Sequence, residues 1–245
     1  QAFILGACNH DVPSYKAGFV ALVRTMHNAG LDGLRGHLLF QMPEAQLAEA
    51  QEWLASNGLA EEAEKAAKDW LASPTGTVED ALDVALDAFI AIWEEQAGLT
   101  TLDKAIADQI TFRAEEGSEG ISAEEWAKFA EGASWYEMRA KARELGADVT
   151  WDPEWAQTPE GFYQVQGGIP YAVAKSLAAA PFADIIWMET KTANLAEARE
   201  FAEQMHAVYS DKMLAYNLSP SFNWDTTGMT EDEMRAFPEE IGKLG

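Results

Sequence analysis

The sequence predicts an α/β chain: a partial (β/α) barrel that carries a large all-helical insertion. Three observations predict it. Residues 12–147 read as one helix after another. From Trp151 the pattern changes to strand, helix, strand, helix at roughly 30-residue spacing, the signature of neighbouring parallel strands joined by crossovers. The second strand opens into a polar cluster, Asn217, Ser219, Ser221 and Asn223. A buried strand has no structural need for four hydrogen-bonding side chains at its exit, and such clusters occur where strands deliver a ligand site.

Each element follows from local chemistry. Ser14 to Asn28 places Phe19, Leu22, Val23 and Met26 at helical spacing. Pro43 to Ser56 aligns Leu47, Ala50 and Leu54. Thr77-Val-Glu-Asp80 is a helix-start signal ahead of Leu82, Val84, Leu86, Phe89, Ile90 and Trp93. Helices are expected over Thr101–Glu115 and, as one unbroken element, Ser122–Leu145, with Ser122 and Glu125 forming a capping box and Gly146 stopping the run. Abundant alanine and sparse β-branched residues favour helix throughout this half. Its tryptophans, Trp53, Trp70, Trp93, Trp126 and Trp135, are expected as core or interface anchors.

In the second half, Ile169 to Ala180 reads as helix and Ala183 to Glu189 as a strand. The run Ile185-Ile186-Trp187-Met188 suits a strand buried on both faces. Asn194 to Tyr209 is an amphipathic helix with Asn194 and Glu197 as an expected capping box, Lys212 to Asn217 is the next strand, and Thr230 to Lys243 a helix capped by Thr230 and Glu233. A complete eight-stranded barrel takes about 250 residues. Only two strands are convincing here, so the chain cannot close a barrel alone. The expected divisions are 1–11 as a connection into the insertion, 12–147 as the insertion, and 148–245 as the C-terminal part of the barrel.

Composition narrows the function. The formal net charge is -24, from 41 acidic and 17 basic residues, which argues against nucleic acid and anionic membrane surfaces as partners. One cysteine, Cys8, excludes a disulfide framework and a multi-cysteine zinc site, and suits a cytoplasmic location. Cys8 follows an apolar run without a neighbouring base and reads as an inert buried thiol. Glu203 and His206 have a carboxylate-bridged metal spacing, but no second such motif accompanies them, so His206 reads as a partly buried helix residue. No run of transmembrane length, P-loop, dinucleotide glycine fingerprint or Gly-x-Ser-x-Gly elbow is present. The start at Gln1 and the stop at Gly245 are expected to be cuts through a larger protein.

In parallel βα folds the ligand lies beyond the C-terminal strand ends. Glu189 and Asn217 end the two strands, so adjacent strands would present both to one cleft. Asn217, Ser219 and Ser221 can donate neutral hydrogen bonds to a carboxylate. Glu189 can act as a proton-linked group or hold a metal-bound water. The competing reading is that Asn217, Ser219 and Ser221 only build a turn around Pro220.

Ala183-Asp-Ile-Ile-Trp-Met-Glu-Thr190 followed by Leu214-Ala-Tyr-Asn-Leu-Ser-Pro-Ser-Phe-Asn-Trp224 resembles isocitrate lyase, as does Thr158-Pro-Glu-Gly-Phe-Tyr163. Gln1-Ala-Phe-Ile-Leu-Gly-Ala7 and Asp11-Val-Pro-Ser-Tyr-Lys16 resemble the large isoform, which carries the extra helices. The resemblance implies a barrel of the isocitrate lyase/phosphoenolpyruvate mutase type, magnesium dependence, a homotetramer, and cleavage of isocitrate to succinate and glyoxylate in the glyoxylate bypass. It also implies that Asn217, Ser219 and Ser221 hold substrate carboxylate oxygens, with Glu189 beside the metal and substrate. The family's Lys-Lys-Cys-Gly-His loop and its Arg-Thr-Asp strand end are absent, so the acid cysteine and principal magnesium ligand are expected upstream and no catalytic residue within this chain. Gln157 stands where the family often has an arginine, replacing a charge-assisted contact by a neutral one. Two alternatives remain open from sequence: a methylisocitrate or related 2-hydroxy acid lyase, and a non-catalytic helical assembly or regulatory module.

Overall fold

A computed structural model describes residues 3–190, 192–218, 224 and 227–245. The chain divides into two compact units, Gln1–Val165 and Gln166–Gly245.

The first unit is built from helices. In order it comprises β1 (Leu5–Gly6), α1 (Tyr15–Asn28), a 3-10 segment (Asp32–Leu39), α2 (Glu44–Ser56), α3 (Leu59–Ala72), α4 (Val78–Ala97), β2 (Thr100–Thr101), α5 (Leu102–Glu115), α6 (Ala123–Ala130) and α7 (Trp135–Glu144). Helix α1 is central: Phe19, Leu22, Val23 and Met26 lie on its buried side, and α2, α3 and α4 pack around it. Gly18 allows that closeness, because a Cβ there would sit 2.5 Å from the Phe89 ring of α4. Phe89 in turn meets Tyr15 and Trp53 ring to ring. A second cluster gathers Leu102, Ile106, Ile110, Trp126, Met138 and Trp151 around α5–α7.

The buried indoles carry their N–H groups to backbone carbonyls: Trp93 to Pro13 (2.8 Å), Trp126 to Asp103 (2.8 Å) and Trp151 to Thr100 (2.8 Å). Each bond removes the desolvation cost of a buried donor and pins a distant segment. The expected helix over Ser122–Leu145 is two helices. A second capping box, Ser134 with Glu137, starts α7, and Glu137 draws its carboxyl below the usual range by accepting from Ser134. Four elements of this unit went unread in the sequence: β1, the 3-10 segment, α3 and β2.

The second unit is a βα arrangement: α8 (Ile169–Ala179), a short 3-10 turn (Ala180–Phe182), β3 (Ile185–Trp187), α9 (Leu195–Val208), β4 (Met213–Ala215) and α10 (Glu231–Gly242). Strands β3 and β4 pair in parallel, with Ile185 opposite Met213, Ile186 opposite Leu214 and Trp187 opposite Ala215. Ile186, Met188 and Leu214 pack with Val173, Phe201 and Met205 of α8 and α9. The expectation that β3 is buried on both faces is corrected here: Ile186 is buried while Ile185 and Trp187 are exposed. Helix α9 starts with Asn194 accepting from Ala196 and Glu197. The structure records that half of the expected box, without the reciprocal bond from Asn194 to the Glu197 carboxylate.

Among the described residues, β1 with β2 and β3 with β4 are two separate two-stranded sheets, and no closed barrel is formed. No helix of the described residues is long and apolar enough to cross a membrane.

Candidate functional site

The parallel register ends the two strands level. Trp187 is opposite Ala215, and each candidate lies two residues beyond its own strand's last paired position. Side chains alternate along a strand. Glu189 therefore continues the Ile185–Trp187 face, and Asn217 the Met213–Ala215 face, at the C-terminal end of the sheet. Both are exposed. Ser219 and Ser221 lie outside the described residues.

Residues of the opposite parity hold this rim. Tyr216, between Ala215 and Asn217, sets its hydroxyl 3.0 Å from Thr190 Oγ1 and accepts from the Asn194 backbone N–H at 3.4 Å. Its ring meets Phe237 of α10 edge-on, at 5.6 Å between centroids. One side chain thus ties the segment after β3, the start of α9 and the segment after β4. Sequence reasoning passed over Tyr216; the signal was an amphipathic side chain at a buried-parity position next to a candidate ligand-binding asparagine.

The other end of the sheet is closed by backbone acceptors. Lys212 Nζ donates to the Ala183 carbonyl at 2.7 Å, and His206 Nε2 lies 2.9 Å from the Lys212 carbonyl. His206 is partly buried and linked to the strand it precedes, in agreement with a structural role.

Gln157 belongs to the first unit. Its side-chain amide donates to Glu154 at 3.2 Å, and the other Glu154 oxygen accepts from the Tyr163 hydroxyl. That hydrogen bond, together with partial desolvation and the nearby Glu154 charge, raises the Tyr163 pKa. Cys8 is half-buried, and burial, followed by the Asp108 charge, pushes its thiol up.

Among the described residues no group of three His, Cys, Asp or Glu side chains can hold a metal ion. One exposed carboxylate, Glu189, does not make a magnesium site, since such sites use carboxylates together with waters and substrate oxygens. These residues do not by themselves fit the ion.

A parallel βα unit with a carboxylate and an amide just beyond the C-terminal strand ends defines the class: an α/β protein with its candidate ligand site at the carboxyl rim. Comparison with known proteins makes this specific. The isocitrate lyase family model matches residues 73–245. Isocitrate lyase 2 of Mycobacterium tuberculosis (strain Erdman) is 54% identical over 246 residues, covering 100% of this chain and 32% of the relative. A putative isocitrate lyase component of Mycobacterium tuberculosis (strain H37Rv) is 66% identical over 146 residues, 59% of this chain and 37% of the relative. Isocitrate lyase of Pinus taeda is 38% identical over 160 residues, 62% of this chain and 28% of the relative. The chain belongs to the isocitrate lyase family. It spans about a third of the length of the curated relatives it matches.

Proposed function

We propose that this chain supplies the substrate-carboxylate rim of a larger isocitrate lyase, which cleaves isocitrate to succinate and glyoxylate. One observation carries the reading: β3 and β4 pair in parallel and end level at Trp187 and Ala215, and Glu189 and Asn217 each follow two residues later. Family membership supports the reaction class, since the family consists of lyases acting on small molecules.

The roles follow from side-chain chemistry. Asn217 donates its amide N–H groups to a substrate carboxylate oxygen, and Ser219 and Ser221 add hydroxyl donors. Glu189 accepts from a water or substrate hydroxyl and anchors the polar end of the cleft. Gln157 takes the place of a cationic contact with a neutral donor. Tyr216 fixes the separation of the two strand ends. Isocitrate lyases are generally magnesium-dependent, and the ion, when bound, supplies positive charge to the substrate's oxygens; its main ligand lies outside this chain. Residues 12–147 form the helical insertion, residues 1–11 the connection to it, and residues 148–245 the barrel part. The assembly is a homotetramer acting in the cytoplasm in the glyoxylate bypass.

Two assays test this reading. The 245-residue chain, given isocitrate and magnesium, releases no glyoxylate; turnover at rates typical of full-length enzymes refutes the assignment of the acid to another segment. In a polypeptide of the relatives' length, Asn217→Ala raises KM and lowers turnover, together by about 1–3 kcal/mol for a lost buried hydrogen bond. Unchanged kinetics in Asn217→Ala and Ser219→Ala removes both from the site.

A further inference from the structure

Helices α3 and α4 pack side by side in the first unit and leave an open trough of about 700 Å3 between them. Its floor is alanine. Ala81 and Ala85, one turn apart on α4, are buried, and Ala66 of α3 is half-buried. Trp70, one turn on from Ala66, forms a wall, and its indole N–H donates to the Thr75 carbonyl at 3.0 Å. That bond holds the ring against the loop between the helices. Val84, 66% exposed, lines the α4 side. A half-buried indole and an exposed isopropyl group above a methyl floor are apolar surface that gains free energy when covered.

The rim of the trough is acidic. Glu62 stands one turn before Ala66. Helix α4 carries Glu79, Asp80, Asp83, Asp87, Glu94 and Glu95 and no lysine or arginine. Both lysines of α3 are engaged within their own helix, Lys65 with Asp69 and Lys68 with Glu64, each at 2.8 Å. The rim therefore keeps an excess of negative charge.

We propose that the α3–α4 trough docks a basic amphipathic helix of a partner protein. From Glu62 to Ser73 the α3 side is about 16 Å long at 1.5 Å per residue, three helical turns. A helix laid in such a groove is held through one stripe of side chains at i, i+3, i+4 and i+7. Its apolar stripe covers Ala66, Trp70, Val84 and Ala85, and its lysines or arginines face Glu62 and the carboxylates of α4. Charge selects this occupant. A two-fold copy of the chain would set acidic rim against acidic rim. An anionic lipid surface is repelled for the same reason. A small molecule is buried over most of its surface in its pocket, whereas exposed Glu62, Ser73, Thr75 and Val84 leave this trough open. The docking site lies within the first unit and is independent of the lyase reading.

The test uses the 245-residue chain and three synthetic helices of about 18 residues, or five turns. The first has a leucine stripe at i, i+3, i+4 and i+7 and lysines elsewhere. The second keeps the stripe and replaces lysine by glutamate. The third keeps the composition of the first and spreads the leucines around the helix. In calorimetry the first binds at least about tenfold more tightly than the other two. The amide and indole resonances it shifts centre on Ala66, Trp70, Val84 and Ala85. Val84→Glu, at an exposed position, weakens it by about tenfold or more, and Glu62→Lys by about threefold or more. Glu203→Lys, on the exposed side of α9, makes the same change in net charge and leaves affinity within about twofold, because distant charges are screened.

Equal binding of the first and third helices, or equal losses in Glu62→Lys and Glu203→Lys, reduces the effect to net charge and overturns the docking site. Tighter binding of the glutamate helix, or no binding up to about 1 mM, overturns it too. Concentration-dependent shifts at the same residues without any peptide assign the trough to a second copy, and the proposal falls with them.

Discussion

Tyr216 shows how a single hydroxyl can matter to a site it does not enter. Its ring is held by Phe237, and its oxygen spans Thr190 Oγ1 and the Asn194 N–H. Tyr216→Phe keeps the ring and removes only the bridge. It should cost about 0.5–1.5 kcal/mol of stability in chemical denaturation, the net worth of a typical hydrogen bond, and speed exchange at the Asn194 amide. In a polypeptide of full length, KM should rise more than turnover falls, because the hydroxyl touches the strand ends rather than the reacting atoms. An unchanged Asn194 amide would remove Tyr216 from the rim. The positions of Glu189 and Asn217 just beyond β3 and β4 were legible in the sequence, because the two strands were, and their ligand role is a proposal that rests on strand-end location. Tyr216 was not, because a tyrosine in an apolar strand looks like core, and only the three-dimensional bridge separates the two roles.

At the scale of elements, α1 and α4 cross closely at Gly18. A Cβ on Gly18 would lie 2.5 Å and 2.6 Å from Phe89 ring atoms. Phe89 is fully buried and engaged by Tyr15 and Trp53, so it has little room to retreat. Gly18→Ala gains helix propensity of up to about 1 kcal/mol, yet the forced separation should outweigh it. The expected result is a net loss of about 1–2 kcal/mol in equilibrium unfolding, restored by pairing it with Phe89→Leu. A more stable Gly18→Ala protein would mean that α4 shifts freely. The periodicity of α1 and α4 was readable because their apolar residues recur on one face. The split between α6 and α7 was missed although Ser134-Trp-Tyr-Glu137 spells the same box as Ser122-Ala-Glu-Glu125. The helix-forming residues on either side outweighed the break signal at Gly132, which stands between Ala130 and Ser134. Helix α3 hid for the opposite reason: its alanines and charges bury only a narrow stripe, Leu59, Ala63 and Ala67.

For the whole molecule, the two units differ in how much apolar surface they enclose. The first surrounds fully buried Phe89, Trp93 and Trp126 with helices on several sides. The second, Gln166–Gly245, encloses Val173, Ala180, Ile186, Met188, Phe201 and Met205 on one side of a two-stranded sheet and leaves the other side open. Strands β3 and β4 were visible in sequence, but β3 was read there as buried on both faces, because burial depends on what else is present to pack. Small units with little enclosed surface are marginally stable, and local opening follows enclosed apolar area and contact density. In the 245-residue chain, amides of β3, β4 and α9 should therefore exchange through openings of lower free energy than those of α1 and α4. Limited proteolysis should cut first within residues 166–245 and leave a resistant fragment close to residues 1–165. The native-state exchange experiment decides it: if β3–β4 amides open only with the global unfolding that exposes α1, the two units fold as one cooperative body. In that case the uncovered sheet face costs the molecule far less than its area implies.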